Sequence, residues 1–156
     1  MGMNRLAGRL RREDGAAAVE FALIAGVLSL LIFGMLEYGL FFLQSQSLKA
    51  GAREGARQAA VGANLTSVKQ AVSDGSAGAL PPTSPAVTMR LIGSAQTTCT
   101  TTTTDDTQGK EVEVAINTNN YADLPGGVTE AFRIDVPFLP HLDLHPAITG
   151  TFRCEL

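Results

Sequence analysis

Residues 21–36, FALIAGVLSLLIFGML, decide how this chain is laid out. These 16 residues carry no charge and are largely apolar, and a helix over them rises about 1.5 Å per residue to cover roughly 24 Å. Ala16 to Val19 precede them and Tyr38 to Leu43 follow, so the apolar stretch lengthens to 16–43, where Glu20 and Glu37 are the only charged residues. A core helix of a soluble protein keeps a polar face, whereas this one is apolar all round. The pattern predicts a membrane-spanning helix over 16–43.

The charges on either side set its direction. Arg5, Arg9, Arg11 and Arg12 stand before the span, and Lys49, Arg53 and Arg57 follow it. Four basic residues against three place the N-terminus in the cytoplasm and the rest outside it, a single-pass arrangement in the cell membrane. A cleaved secretory signal is the competing reading, since Ala50-Gly51-Ala52 offers small residues for cleavage. Such signals have an apolar core of only about 7–15 residues, which favours an uncut anchor.

With 156 residues and a net charge of −3, the chain has room for this anchor and one further domain. After residue 44 acidic and basic residues are well mixed, and no basic cluster interleaved with aromatics points to nucleic acid as a partner.

A carboxylate at the start of a membrane helix costs a few kcal/mol unless it is paired, protonated or close to headgroups, so Glu20 is a functional candidate whose partner has to be named. It stands in Arg11-Arg12-Glu13-Asp14-Gly15-Ala16-Ala17-Ala18-Val19-Glu20-Phe21: a charged leader, a glycine, four small or apolar residues, a glutamate, then the span. This resembles the type IV prepilin processing site. The resemblance implies that a membrane-embedded aspartyl peptidase cuts after Gly15, that Ala16 becomes the new N-terminus, and that Glu20 meets the freed amine of a neighbouring subunit to set axial register. Such a buried pair is better suited to registry than to stability.

Two further elements narrow the resemblance. Phe33-Gly34-Met35-Leu36-Glu37-Tyr38-Gly39 and Ala52-Arg53-Glu54-Gly55-Ala56-Arg57 follow the leader in order. Together the three are similar to the TadE-like family, pilin-related proteins of tight-adherence (Flp) pilus systems, over residues 11–62. The family implies prepilin peptidase and other pilin or pseudopilin subunits as partners, in a homo- or hetero-oligomer. Many members carry proline where this chain has Gly26, and glycine softens a helix without removing a backbone donor.

Beyond the span, Leu48, Ala52, Ala56, Ala59 and Ala60 recur at helical spacing, so the helix is expected to continue as a stem and stop near Gly62. Gly51 and Gly55 form a GxxxG beside the row Ala52, Ala56, Ala60. Small residues allow close approach. Either another subunit or the chain's own sheet can occupy that row. Asn64 or Thr66 can cap a second helix bearing Leu65, Val68, Ala71 and Val72 and ending near Asp74-Gly75, with 76–85 as a proline-containing linker.

Alternation predicts strands over Val87–Ile92 and Glu111–Asn117, with a long Thr-rich loop over 94–109 between them, and further strands over Phe132–Phe138 and Ile148–Cys154. The fold class is α+β: a long N-terminal transmembrane helix continuing into a stem packed on a small antiparallel sheet. The expected divisions are 1–15 leader, 16–43 span, 44–78 stem and 79–156 β-rich head. Cys99 and Cys154 are the only cysteines. In an oxidising compartment they can form one disulfide worth about 2–4 kcal/mol, the alternative being two unrelated thiols.

Chemistry is sparse. No phosphate-binding glycine loop and no GxSxG is present. His141, Asp143 and His145 are spaced as metal ligands might be, but flanking prolines make this a surface loop rather than a metal site. Asp105-Asp106 reads as a solvated pair. No enzyme, cofactor or metal is expected. The site residues are Gly15, Ala16 and Glu20 for processing, Glu20, Phe21, Glu37, Gly51 and Gly55 for assembly and packing, and Cys99 with Cys154 for a bridge. The expected function is a minor subunit or accessory pseudopilin of a tight-adherence pilus, held in the membrane or carried into an extracellular filament. The alternative is an uncleaved single-pass envelope protein whose head is a surface binding domain.

Overall fold

The structure, a computed structural model, describes residues 3–102, 105–118, 133–137 and 139–155, with side chains from residue 15 onward except 101–106 and 133. Helix α1 runs unbroken from Met3–Ala60, 58 residues. From Gly15 it is long and apolar enough to cross a membrane, and none of its most apolar stretch is buried by the rest of the chain. A helix this apolar and this bare needs lipid or other subunits around it.

What ends α1 is visible in its backbone. Gly62 takes φ 82°, the left-handed conformation that glycine adopts freely. Its N–H reaches the Ala59 carbonyl at 3.1 Å and the next N–H, of Ala63, reaches Gln58 at 3.2 Å, satisfying carbonyls the helix leaves open. Ala63 packs on the core, fixing the turn. Helix α2, Leu65–Gly75, starts at once, capped by the Asn64 side chain, which accepts from the Ser67 N–H at 2.9 Å. It descends antiparallel to the stem with Val68 and Val72 buried.

Among the described residues, seven strands carry the head. Strands β1 (Val87–Leu91), β4 (Glu111–Ile116) and β7 (Ile148–Arg153) form one antiparallel sheet in the order β1-β4-β7. The pairing sets Val87 beside Ile116 beside Ile148, and Leu91 beside Val112 beside Phe152. Alternation places Val87, Met89, Val112, Val114 and Ile148 on the inner face against Leu48, Ala52, Ala56 and Ala59 of α1. Across the outer face Arg90 forks onto Glu113, at 3.0 and 3.1 Å.

The sheet is anchored to α1 in one direction. Gly150 lies against the backbone of Ala52 and Arg53, and the Glu155 N–H donates to the Ala60 carbonyl at 3.1 Å. Strand β7 therefore climbs alongside α1, away from the span. The Val87, Ile116 and Ile148 end of the sheet faces the membrane, and the Leu91, Glu111 and Arg153 end is distal.

At the distal end β2 (Thr101–Thr102) and β3 (Asp105–Asp106) form a short hairpin within the Thr-rich loop. Two contacts tether it. Cys99 and Cys154 are bridged, with Cα atoms 5.6 Å apart and a separation of 55 positions in sequence. The buried Thr107 hydroxyl accepts from the Thr100 N–H at 2.7 Å and donates to the Thr100 carbonyl at 2.9 Å. Closing a loop of that length lowers unfolded-chain entropy by about 4 kcal/mol in the chain-entropy model.

One expectation is corrected and one is sharpened. The stretch 132–138 does not add a strand to the sheet: β5 (Arg133–Ile134) pairs with β6 (Leu142–Asp143) in a separate ribbon, while Phe132 and Phe138 lie outside the described residues. Proline at 137 and 140 removes ladder donors and stops a longer strand. The 76–85 segment is not a free linker either, because Leu80 is fully buried and the Ser47 hydroxyl ties the Ser76 carbonyl to the stem at 2.6 Å.

Candidate processing and assembly site

Gly15, Ala16, Glu20 and Phe21 lie on successive turns of α1, all exposed. A Cβ at Gly15 would meet nothing within 4 Å. Glycine in a helix interior lowers its stability by roughly 0.5–1 kcal/mol relative to alanine, so Gly15 marks a place where the helix opens more cheaply than elsewhere. Gly26, Gly34 and Gly39 are equally open, and α1 continues through Gly26 without interruption.

Glu20 makes no hydrogen bond or ion pair with the described residues, and neither does Glu37. They are 17 positions apart, about 25 Å along the axis. The two carboxylates therefore bracket the uncharged stretch 21–36 at its two ends. Tyr38 and Phe41 follow Glu37 with ring centroids 6.2 Å apart, and Tyr38, with its apolar ring and polar hydroxyl, is the residue type favoured at an interface.

Gly51 and Gly55 belong to a different environment. A Cβ on Gly51 would stand 2.6 Å from the Val72 carbonyl, and one on Gly55 would stand 2.5 Å from Val72 Cγ2 and 3.4 Å from Val114 Cγ1. Gly75 faces Gly51 across the same seam. The occupant of the GxxxG face is the chain's own α2, and the Ala52 and Ala56 row lies in the core shared with the sheet. The assembly residues thus divide: Glu20, Phe21 and Glu37 remain free of intramolecular partners, while Gly51 and Gly55 are enclosed.

Of the basic stripe, Arg57 pairs with Glu54, Nη2 to Oε1 at 2.6 Å and Nε to Oε2 at 2.9 Å. Those bonds hold the Glu54 carboxyl below its ordinary value, aided by Gln58 and opposed by partial burial. His141 Nε2 lies 3.8 Å from Asp143 Oδ2, both side chains about half exposed. Among the described residues no three ligating side chains gather as a metal site.

Sequence reasoning missed Gly150, whose lack of a side chain permits the closest helix–strand approach in the head. Its signal was a glycine inside an alternating strand. Comparison with curated proteins and with solved structures finds no match. The family model described as TadE-like protein matches residues 15–57. That range begins at the glycine before the span and ends at Arg57 in the stem, leaving the sheet outside it, and over it this chain is similar to that family.

Proposed function

We propose that the chain is a minor subunit or accessory pseudopilin of a tight-adherence pilus, made with a leader, cut after Gly15 by a prepilin peptidase, and stored in the membrane until it joins the assembly. The observation that carries this reading is the bare span directly behind the glycine. From Gly15 to Leu43 no side chain is fully buried, and burial begins at Ser45. Before Phe41, which packs on the head's core, the apolar helix is therefore available for lipid before assembly and for other helices afterwards, an exchange that leaves that core untouched. The TadE-like match over 15–57 supports a pilin-related role in general. After cleavage, Glu20 would be the fifth residue, and its exposed carboxylate would pair with a neighbour's new amine to fix axial register.

Mass spectrometry of the mature N-terminus tests the processing step. A chain starting at Ala16 is expected, and an intact leader in cells with active peptidase refutes it. Glu20→Ala is expected to insert and fold normally while assembly falls; unimpaired assembly of that variant would remove the register role.

A further inference from the structure

Outside the span, the most exposed large apolar side chains of the described residues are Leu139 and Leu142, each 55% exposed, as open as Leu28 within the span. Both belong to the β5–β6 ribbon segment, whose residues 134–146 read IDVPFLPHLDLHP. This segment lies between β4, which descends to Ile116, and β7, which rises from Ile148. Its root is therefore on the membrane-facing end of the sheet. The Thr118 hydroxyl donates to the Pro146 carbonyl at 3.1 Å and closes that root, and β5 packs against α1.

The height of this end follows from α1. Gly150 is level with Ala52, nine positions beyond Leu43, or about 14 Å above the end of the span. Ile148 is two strand residues lower, about 7 Å down, which leaves it about 7 Å above Leu43, the last residue of the apolar stretch 16–43. The headgroup layer is itself about 5–7 Å deep on each side. Phe41, near the end of the span, packs on the core that α1 shares with the head.

We propose that the β5–β6 ribbon is a second membrane contact, with Leu139 and Leu142 seated at the headgroup–acyl border of the outer leaflet beside α1. Pro137, Pro140 and Pro146 suit it to that place, because proline brings no N–H that would go unsatisfied near lipid. Asp135 and Asp143, both exposed, stay in the headgroup layer and limit the depth. The contact fixes which side of the head faces the bilayer. It depends only on α1 crossing a membrane, not on cleavage at Gly15.

The chain contains no tryptophan, so a single introduced one reports its own surroundings. Leu139→Trp and Leu142→Trp, made separately in the full chain, are reconstituted in phosphatidylcholine vesicles with and without bromine on the acyl chains. Phe152→Trp, at the distal end, is the reference. Retention of the Cys99–Cys154 bridge on a non-reducing gel confirms each fold, and either ribbon variant suffices. Blue-shifted emission quenched by the brominated lipid is expected in the ribbon, with Phe152→Trp unquenched. Water-like emission from the ribbon overturns the proposal. So does a blue shift without quenching, which would mean that protein covers the leucines, or equal quenching at position 152.

Discussion

Adding one methyl group at Gly150 should loosen the whole head. A Cβ there would fall on the Ala52 carbonyl, 2.5 Å from its carbon and 2.7 Å from the Arg53 nitrogen. All of these are backbone atoms of a hydrogen-bonded helix, so no rotamer change relieves the contact. Ordinary contact starts near 3.4 Å, and β7 would have to move out by roughly 1 Å, taking Ile148 away from the core it shares with α1. Overpacking of this kind costs about 1–3 kcal/mol. The restriction of the unfolded chain by alanine offsets about 0.4–1 kcal/mol of it. A net loss of about 1.3 kcal/mol shifts the melting temperature of a domain this size by roughly 5–10 °C. The measurement is thermal unfolding of the detergent-solubilised full chain by near-ultraviolet circular dichroism, with the disulfide intact. Gly26→Ala is the control, because its Cβ meets nothing and α1 should be unchanged or slightly stabilised. A Gly150→Ala protein within about 0.5 kcal/mol of wild type, the range of ordinary surface substitutions, would refute the close approach described here.

Paired Cys99→Ser and Cys154→Ser substitutions should lower head stability by about 4 kcal/mol, read from denaturant midpoints, with amide exchange rising first in the distal hairpin. Asn64→Ala removes the α2 cap and should cost about 1 kcal/mol in the same assay, whereas Asn64→Ser should recover most of it. The lowered Glu54 carboxyl means that the folded state binds its proton more weakly than the unfolded state does. Its contribution is complete above the ordinary value of 4.5 and is lost as pH falls through the depressed one. The stability difference between wild type and Glu54→Gln should therefore shrink on acidification below 4.5 and stay flat above it.

Elements whose cause is local were legible from the residues. Asn64 announces a cap because its side chain is the right length to take an orphan amide, and Gly62 announces a stop because it alone accepts a positive φ cheaply. Strands β1, β4 and β7 follow from alternation, which needs no knowledge of the partner. Where the cause is not local, the reading faltered. The apolar content of 132–138 was real, but prolines deny it a place in the ladder, and β5 pairs with β6 in a separate ribbon instead. Leu80, alone among prolines and small residues, carried no periodic signal, yet it is one of the best buried side chains.

The sequence by itself determined the span, since its length and apolarity on every face are properties of the chain that no fold alters, and it marked Gly15 and Glu20 as the motif at its edge. Only the tertiary structure decided who occupies the small-residue row of the stem. A GxxxG states that a backbone can come close and says nothing about which backbone. Because α2 turns back at Gly62 within the same chain, it reaches Gly51 and Gly55 without the entropy cost of bringing in a second molecule, and it seals that face. The faces left for partners are those the fold does not consume: the bare span and the underside of the head.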